Sequence, residues 1–137
     1  MQVQTYLSFD GRTEEAIEFY KKALGAKVGM LMRWKDSPDK SMNVPGAEDR
    51  VMHAYVTIGE TGVMMSDGYA KGAPKFEGFN LSIATKTAAE ADKLFNALLE
   101  GGKVTMPQAK TFFSERFGML TDKFGINWMI LVEGKMK

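Results

Sequence analysis

A single histidine, His53, stands in the stretch "VMHAYVTIG", two residues before Tyr55. An imidazole changes charge near neutral pH, so it suits proton transfer, ligand recognition or metal binding. The other candidates for chemistry are polar or soft side chains at alternate positions of strand-like segments: Gln4, Tyr6 and Ser8 near the start, Met65 and Asp67 in "GVMMSDG", Asn80 in "FNLSIAT", and Met129 in "INWMILVE". Cysteine is absent, which excludes disulfides, thiolate zinc sites and cysteine nucleophiles. One histidine also excludes a site that needs two imidazoles from the same chain.

The elements that must position these residues follow from periodicity. In "VQTYLSF", Val3, Thr5, Leu7 and Phe9 share one face of a strand over residues 3–9, which leaves Gln4, Tyr6 and Ser8 on the other. "DGR" is a turn, and Thr13 followed by Glu14 and Glu15 opens a helix. Ala16, Ile17, Phe19, Tyr20, Ala23 and Leu24 form its apolar stripe and Gly25 stops it. "AKVGMLMRW" is a second strand. "RVMHAYVTIG" and "GVMMSD" form a pair joined by "ETG". Alternation in the first of these puts Ala54, Val56 and Ile58 on the apolar side and His53, Tyr55 and Thr57 opposite. Met65 and Asp67 are expected on the same side as His53. Asp67 also suits a turn at the hairpin exit.

The pattern then restarts. "FNLSIAT" (79–85) is a strand, "TAAEADKLFNALLEGG" (87–102) a helix, and "KVTMPQAKTFF", "RFGMLTDKFG" and "INWMILVE" are three further extended segments. Asn80 and Ser82 share one face, with Leu81 and Ile83 behind, while Trp128 joins Ile126 and Ile130. The halves also match residue by residue: "YLSF…AIEFYKKALGAKV" beside "LSIA…ADKLFNALLEGGKV". The reading is one domain over 1–137 made of two βαβββ repeats, about 1–68 and 78–137, with glycine-rich "GYAKGAPKFEG" as the joint. Two such units, each covered by one helix, can enclose an apolar groove suited to a small molecule.

Composition narrows the function classes. The chain has 137 residues, 18 basic against 17 acidic, and no basic stripe, so nucleic acid is not an expected partner. No segment approaches the roughly 20 apolar residues that span a bilayer, and the N-terminus lacks a signal-peptide pattern; a cytoplasmic location is expected. Eleven methionines fill core gaps or soften a pocket wall. "DKFG" is a turn rather than a kinase element, and "GGKV" is a helix stop rather than a phosphate loop. The polar loop 36–49 is long enough to be a lid or a partner contact.

The segments "YLSF", "EAIEFYKKALGA", "MHAYVTIG", "VMMSD", "GGKVTMP" and "TDKFGINWMI" resemble the PhnB-like branch of the vicinal oxygen chelate superfamily, which includes glyoxalase I, extradiol dioxygenases and bleomycin or fosfomycin resistance proteins. The resemblance covers nearly the whole chain. It implies an α+β fold of two tandem βαβββ modules with curved mixed sheets around a groove, commonly in a homodimer. In the metal-dependent members four strands supply the ligands, and those positions fall here on Gln4, Met65, Asn80 and Met129. Two amides and two thioethers hold a divalent metal poorly. The expectation is therefore a metal-free groove that binds a small organic molecule, lined by Gln4, Tyr6, Ser8, His53, Tyr55, Met65, Asp67, Asn80 and Met129. It names no catalytic residue, no cofactor and no membrane partner. The alternative is an enzyme, either of glyoxalase or dioxygenase type with a non-standard ligand set or acid–base through His53; a third reading is a homodimer whose groove serves a structural or regulatory role.

Overall fold

The computed structural model describes residues 1–39, 45–68 and 74–134. The chain divides into two compact units, Met1–Pro74 and Lys75–Lys137. The boundary falls inside "GYAKGAPKFEG", of which residues 69–73 lie outside the described set, as do residues 40–44 of the 36–49 loop.

The first unit runs β1 (Tyr6–Ser8), α1 (Thr13–Leu24), β2 (Lys27–Arg33), a short 3-10 turn (Trp34–Asp36), β3 (Val51–Ile58) and β4 (Thr61–Ser66). Its sheet has the order β1-β4-β3-β2. β1 pairs in parallel with β4, whereas β3 pairs antiparallel with both β4 and β2. The second unit repeats the plan with β5 (Leu81–Thr85), α2 (Ala88–Leu99), β6 (Lys103–Ala109), β7 (Phe117–Thr121) and β8 (Asn127–Val132), in the order β5-β8-β7-β6. The fold is α+β, two βαβββ modules each holding a four-stranded mixed sheet and one helix. Even the irregularities match: β2 bulges between Val28 and Met30, and β6 between Val104 and Met106.

Amphipathic periodicity explains the helices. Ala16, Ile17, Phe19 and Tyr20 are buried along one side of α1, and Gly25 ends the helix at φ 70°, a conformation that favours glycine. Leu7, Ala54, Val56 and Met65 are buried in the sheet, and α1 packs on β3. In the second unit Ala91, Phe95 and Leu98 of α2 pack with Leu120, Trp128 and Ile130, and burying Phe95, Leu98, Leu120 and Ile130 contributes about 1.5–3 kcal/mol each. Gly118 lets this helix approach: a Cβ there would stand 2.8 Å from the Phe95 ring.

The first strand is shorter than the alternation predicts. Pairing starts where the Thr5 carbonyl accepts from the Met64 amide, and Val3 is 94% exposed because β4 offers it no partner. The last three strands end earlier than their apolar patterns, since Asp122–Gly125 forms the turn before β8 and Lys110–Arg116 forms a loop.

The family-like ending "TDKFGINW" is a self-contained turn. The Asp122 carboxylate is 3% exposed and accepts from the amides of Phe124 and Ile126 and from the Trp128 indole N–H. Each buried donor is thereby satisfied by a charged acceptor, the strong kind of hydrogen bond.

Candidate functional site

The face of the first sheet turned away from α1 gathers most of the candidates. Register sets its rows. Met30 lies opposite Tyr55, Tyr55 opposite Met64, and Met64 opposite Tyr6, so one row crosses all four strands. Met32 lies opposite His53 in the neighbouring row. Tyr6 is 49% exposed; His53, Tyr55, Thr57, Met32 and Met64 are half-buried, whereas Ala54 and Val56 on the reverse face are fully buried. The alternation expected around His53 is therefore present.

Three contacts organise this face. The Tyr6 hydroxyl stands 2.9 Å from His53 Nδ1, with ring centroids 5.5 Å apart. Tyr55 lies along the sheet over Gly62, where an added Cβ would collide with its hydroxyl. The same Cβ would stand 3.1 Å from the Gln4 amide nitrogen, which brings Gln4 beside Tyr55. Ser8 lies opposite Ser66, at the end of β1.

Two predicted members are elsewhere. Met65 pairs with Leu7 and Ala54 and is 0% exposed, which puts it on the helix-facing side. Met64 occupies the open face instead. A strand shifted by one residue inverts its faces, and "GVMMS" has methionine at both positions, so the sequence offers no contrast. Asp67 is 3% exposed and serves the backbone: its carboxylate accepts from the amides of Gly11, Thr13 and Val51 at 2.8–2.9 Å. It caps α1, whose own cap position is Arg12, a residue that makes no side-chain capping hydrogen bond to the helix amides. A carboxylate at a helix N-terminus also opposes the helix dipole favourably.

In the second unit Met129 lies opposite Ser82 on one side and Met119 on the other, and Met106 lies opposite Met119. This row, Ser82–Met129–Met119–Met106, corresponds to Tyr6–Met64–Tyr55–Met30. Asn80 is exposed just ahead of β5. Asn127, not predicted, donates to the Phe76 carbonyl at 2.7 Å and accepts from the Thr121 hydroxyl. The residues missed by sequence reasoning are Met30, Met32, Met64, Met106 and Met119. "GMLMR" carried a usable signal in its alternating methionines. A concavity of about 290 Å³ also opens in this unit, lined by Lys86, Lys110, Phe113, Glu115 and Glu133 among others, with none of the predicted residues.

The donor types at the four positions implied as metal ligands, two amides and two thioethers, suit a divalent cation poorly. Met65 faces the helix, and among the described residues no group of three or more His, Asp or Glu could hold a metal ion. Among the described residues, the strands of the first sheet carry no carboxylate, so a divalent cation on their open face would lack compensating charge from them.

A sequence model of the 3-demethylubiquinone-9 3-methyltransferase family matches residues 1–131. Protein YjdN of Escherichia coli is 34% identical, the match covering 96% of this chain and 95% of that one. The crystal structure of protein PA1353 from Pseudomonas aeruginosa superposes with a TM-score of 0.86 at 37% identity, covering 97% of this chain and 98% of that one. A Bacillus cereus PhnB protein, described as a putative 3-demethylubiquinone-9 3-methyltransferase, gives a TM-score of 0.81 at 30% identity, covering 96% and 99%. The fosfomycin resistance protein FosX of Listeria monocytogenes, at 10% identity and a TM-score of 0.65 over 98% of this chain and 94% of that one, shares the fold. This chain belongs to the 3-demethylubiquinone-9 3-methyltransferase, or PhnB-like, family, on the fold of the glyoxalase/bleomycin resistance/dioxygenase superfamily.

Proposed function

We propose that this protein binds a small organic molecule on the open sheet faces and needs no divalent metal to do so. The observation that carries the reading is the Tyr6–His53 pair, a hydrogen-bonded couple 2.9 Å apart on a half-exposed wall of methionine and tyrosine. Tyrosine and methionine offer adaptable apolar contact, while a hydroxyl, an imidazole and the Gln4 amide supply direction. Asn80, Ser82 and Met129 offer like chemistry on the second sheet. The ligand best matched is neutral, flat and polarisable, with at least one hydroxyl or carbonyl for the Tyr6–His53 pair to read. The protein acts as a homodimer in the cytoplasm on this reading.

The test is a screen of aromatic and quinone-like metabolites against protein labelled at its methionine methyl groups. Saturable shifts at Met30 and Met64 that His53→Ala weakens about tenfold support the reading. A library without a binder, or stoichiometric zinc, nickel or manganese in protein purified without chelators, overturns it. Light scattering checks the dimer, which a monomer at micromolar concentration would contradict.

A further inference from the structure

The same face that fits a divalent metal poorly has the donors for a monovalent soft one. We propose that His53, Met32 and Met64 form a site for Cu(I), with Tyr6 as the residue that orients the imidazole. This does not rest on organic-ligand binding and stands or falls separately from it.

The argument begins with register. Met32 is directly opposite His53 on β2, and Met64 is on β4, diagonal to His53 and directly opposite Tyr55. Directly opposite side chains have Cβ atoms about 4.5–5.5 Å apart and diagonal ones about 7–8 Å, both within reach of long flexible thioethers. All three are half-buried, so they combine partial shielding from water with access for an ion. Met30 flanks the group at 42% exposure.

Donor chemistry selects the ion. Thioether sulfur is soft and neutral, and it favours Cu(I), while imidazole adds a borderline nitrogen. The strand residues of this face carry no carboxylate, which suits one positive charge better than two. The second sheet provides the contrast. Its equivalent row holds Met106, Met119 and Met129 with no imidazole, since His53 is the chain's one histidine.

The Tyr6 contact supplies the remaining requirement. Tyr6 engages Nδ1, so Nε2 is the nitrogen directed to the metal. Binding through Nε2 requires the proton on Nδ1, and the Tyr6 hydroxyl oxygen then accepts it. Fixing the tautomer of a ligating histidine through its other nitrogen typically changes metal affinity about 10–100-fold.

Silver(I) is an air-stable probe of the same charge and softness. We expect titration with silver nitrate to shift the methyl signals of Met32 and Met64 and the ring of His53, saturating at one equivalent. Competition against a chromophoric Cu(I) chelator under reductant is expected to give the same stoichiometry. His53→Ala and Met32→Leu should each weaken binding about tenfold or more, Tyr6→Phe about tenfold, and Met106→Leu not at all. Met32→Leu conserves volume and keeps the test valid if His53→Ala fails to fold. The absence of saturable shifts, undiminished binding in Met32→Leu, or saturation at Met106, Met119 and Met129 instead would overturn the proposal.

Discussion

The Tyr6 hydroxyl reaches across β4 to His53 Nδ1, 2.9 Å away, so a side chain on the edge strand β1 governs one on the interior strand β3. This contact holds the imidazole over the open face and selects which nitrogen faces outward. Replacing Tyr6 with phenylalanine removes the oxygen and leaves the ring. The expected outcome is a changed balance of His53 tautomers, read in the nitrogen shifts of Nδ1 and Nε2, with a stability loss of about 1 kcal/mol or less because the pair is part-exposed. Unchanged nitrogen shifts would show that the contact does not persist in solution.

Asp67 and Asp122 are expected to be structural rather than ligand-binding. Each accepts three N–H donors, Asp67 from Gly11, Thr13 and Val51, Asp122 from Phe124, Ile126 and the Trp128 indole. Alanine at either position strands buried donors and should cost about 3 kcal/mol or more. Urea unfolding followed by tryptophan emission measures both. A midpoint within error of the parent for Asp67→Ala would restore it as a candidate ligand residue.

Gly62 is the position where the sheet makes room for the Tyr55 ring. Gly62→Ala should push Tyr55 off the sheet and displace Gln4, with a cost of about 1–3 kcal/mol typical of overpacking. Gly59→Ala serves as the comparison: no atom lies within 4 Å of a Cβ there, so its cost comes from its positive φ of 60° and not from crowding. Tyr55 ring shifts in the first variant and not in the second are the expected signature.

The Glu14–Arg33 pair links α1 to the end of β2 at 2.6 Å. Its hydrogen bond to Arg33, above all, holds the Glu14 carboxyl below the usual carboxylate range, against a smaller opposing effect of burial. A depressed folded value means that the pair stabilises the protein above the ordinary carboxylate range, and that this contribution is lost as pH falls through the lowered value. The Glu14 side chain is 57% exposed and solvent screens the pair, so the effect is small. Glu14→Gln should therefore lower the urea midpoint slightly at neutral pH, with the difference shrinking as pH falls through the lowered carboxyl value. A difference that persists in acid would show another origin.

Much of the fold was legible because each module follows simple rules. The α1 stripe from Ala16 to Tyr20 has helical spacing, and His53 to Thr57 alternate with fully buried Ala54 and Val56. The capping of α1 was less legible. Its acceptor, Asp67, lies far along the chain at the end of β4, and no local pattern at Arg12 and Thr13 points to it. The methionine rows were equally hidden, since methionine at Met30, Met64, Met106, Met119 and Met129 reads alike as core filler or exposed wall.

The sequence by itself determined the element types, their duplicated order and the face on which His53, Tyr55 and Ser82 lie, because periodicity and turn residues are local properties. Tertiary structure alone decided that Met64 rather than Met65 lines the open face and that Asp67 is spent on backbone amides. Strand pairing sets which side of β4 meets the helix, and a run of two methionines carries no preference that could reveal it beforehand.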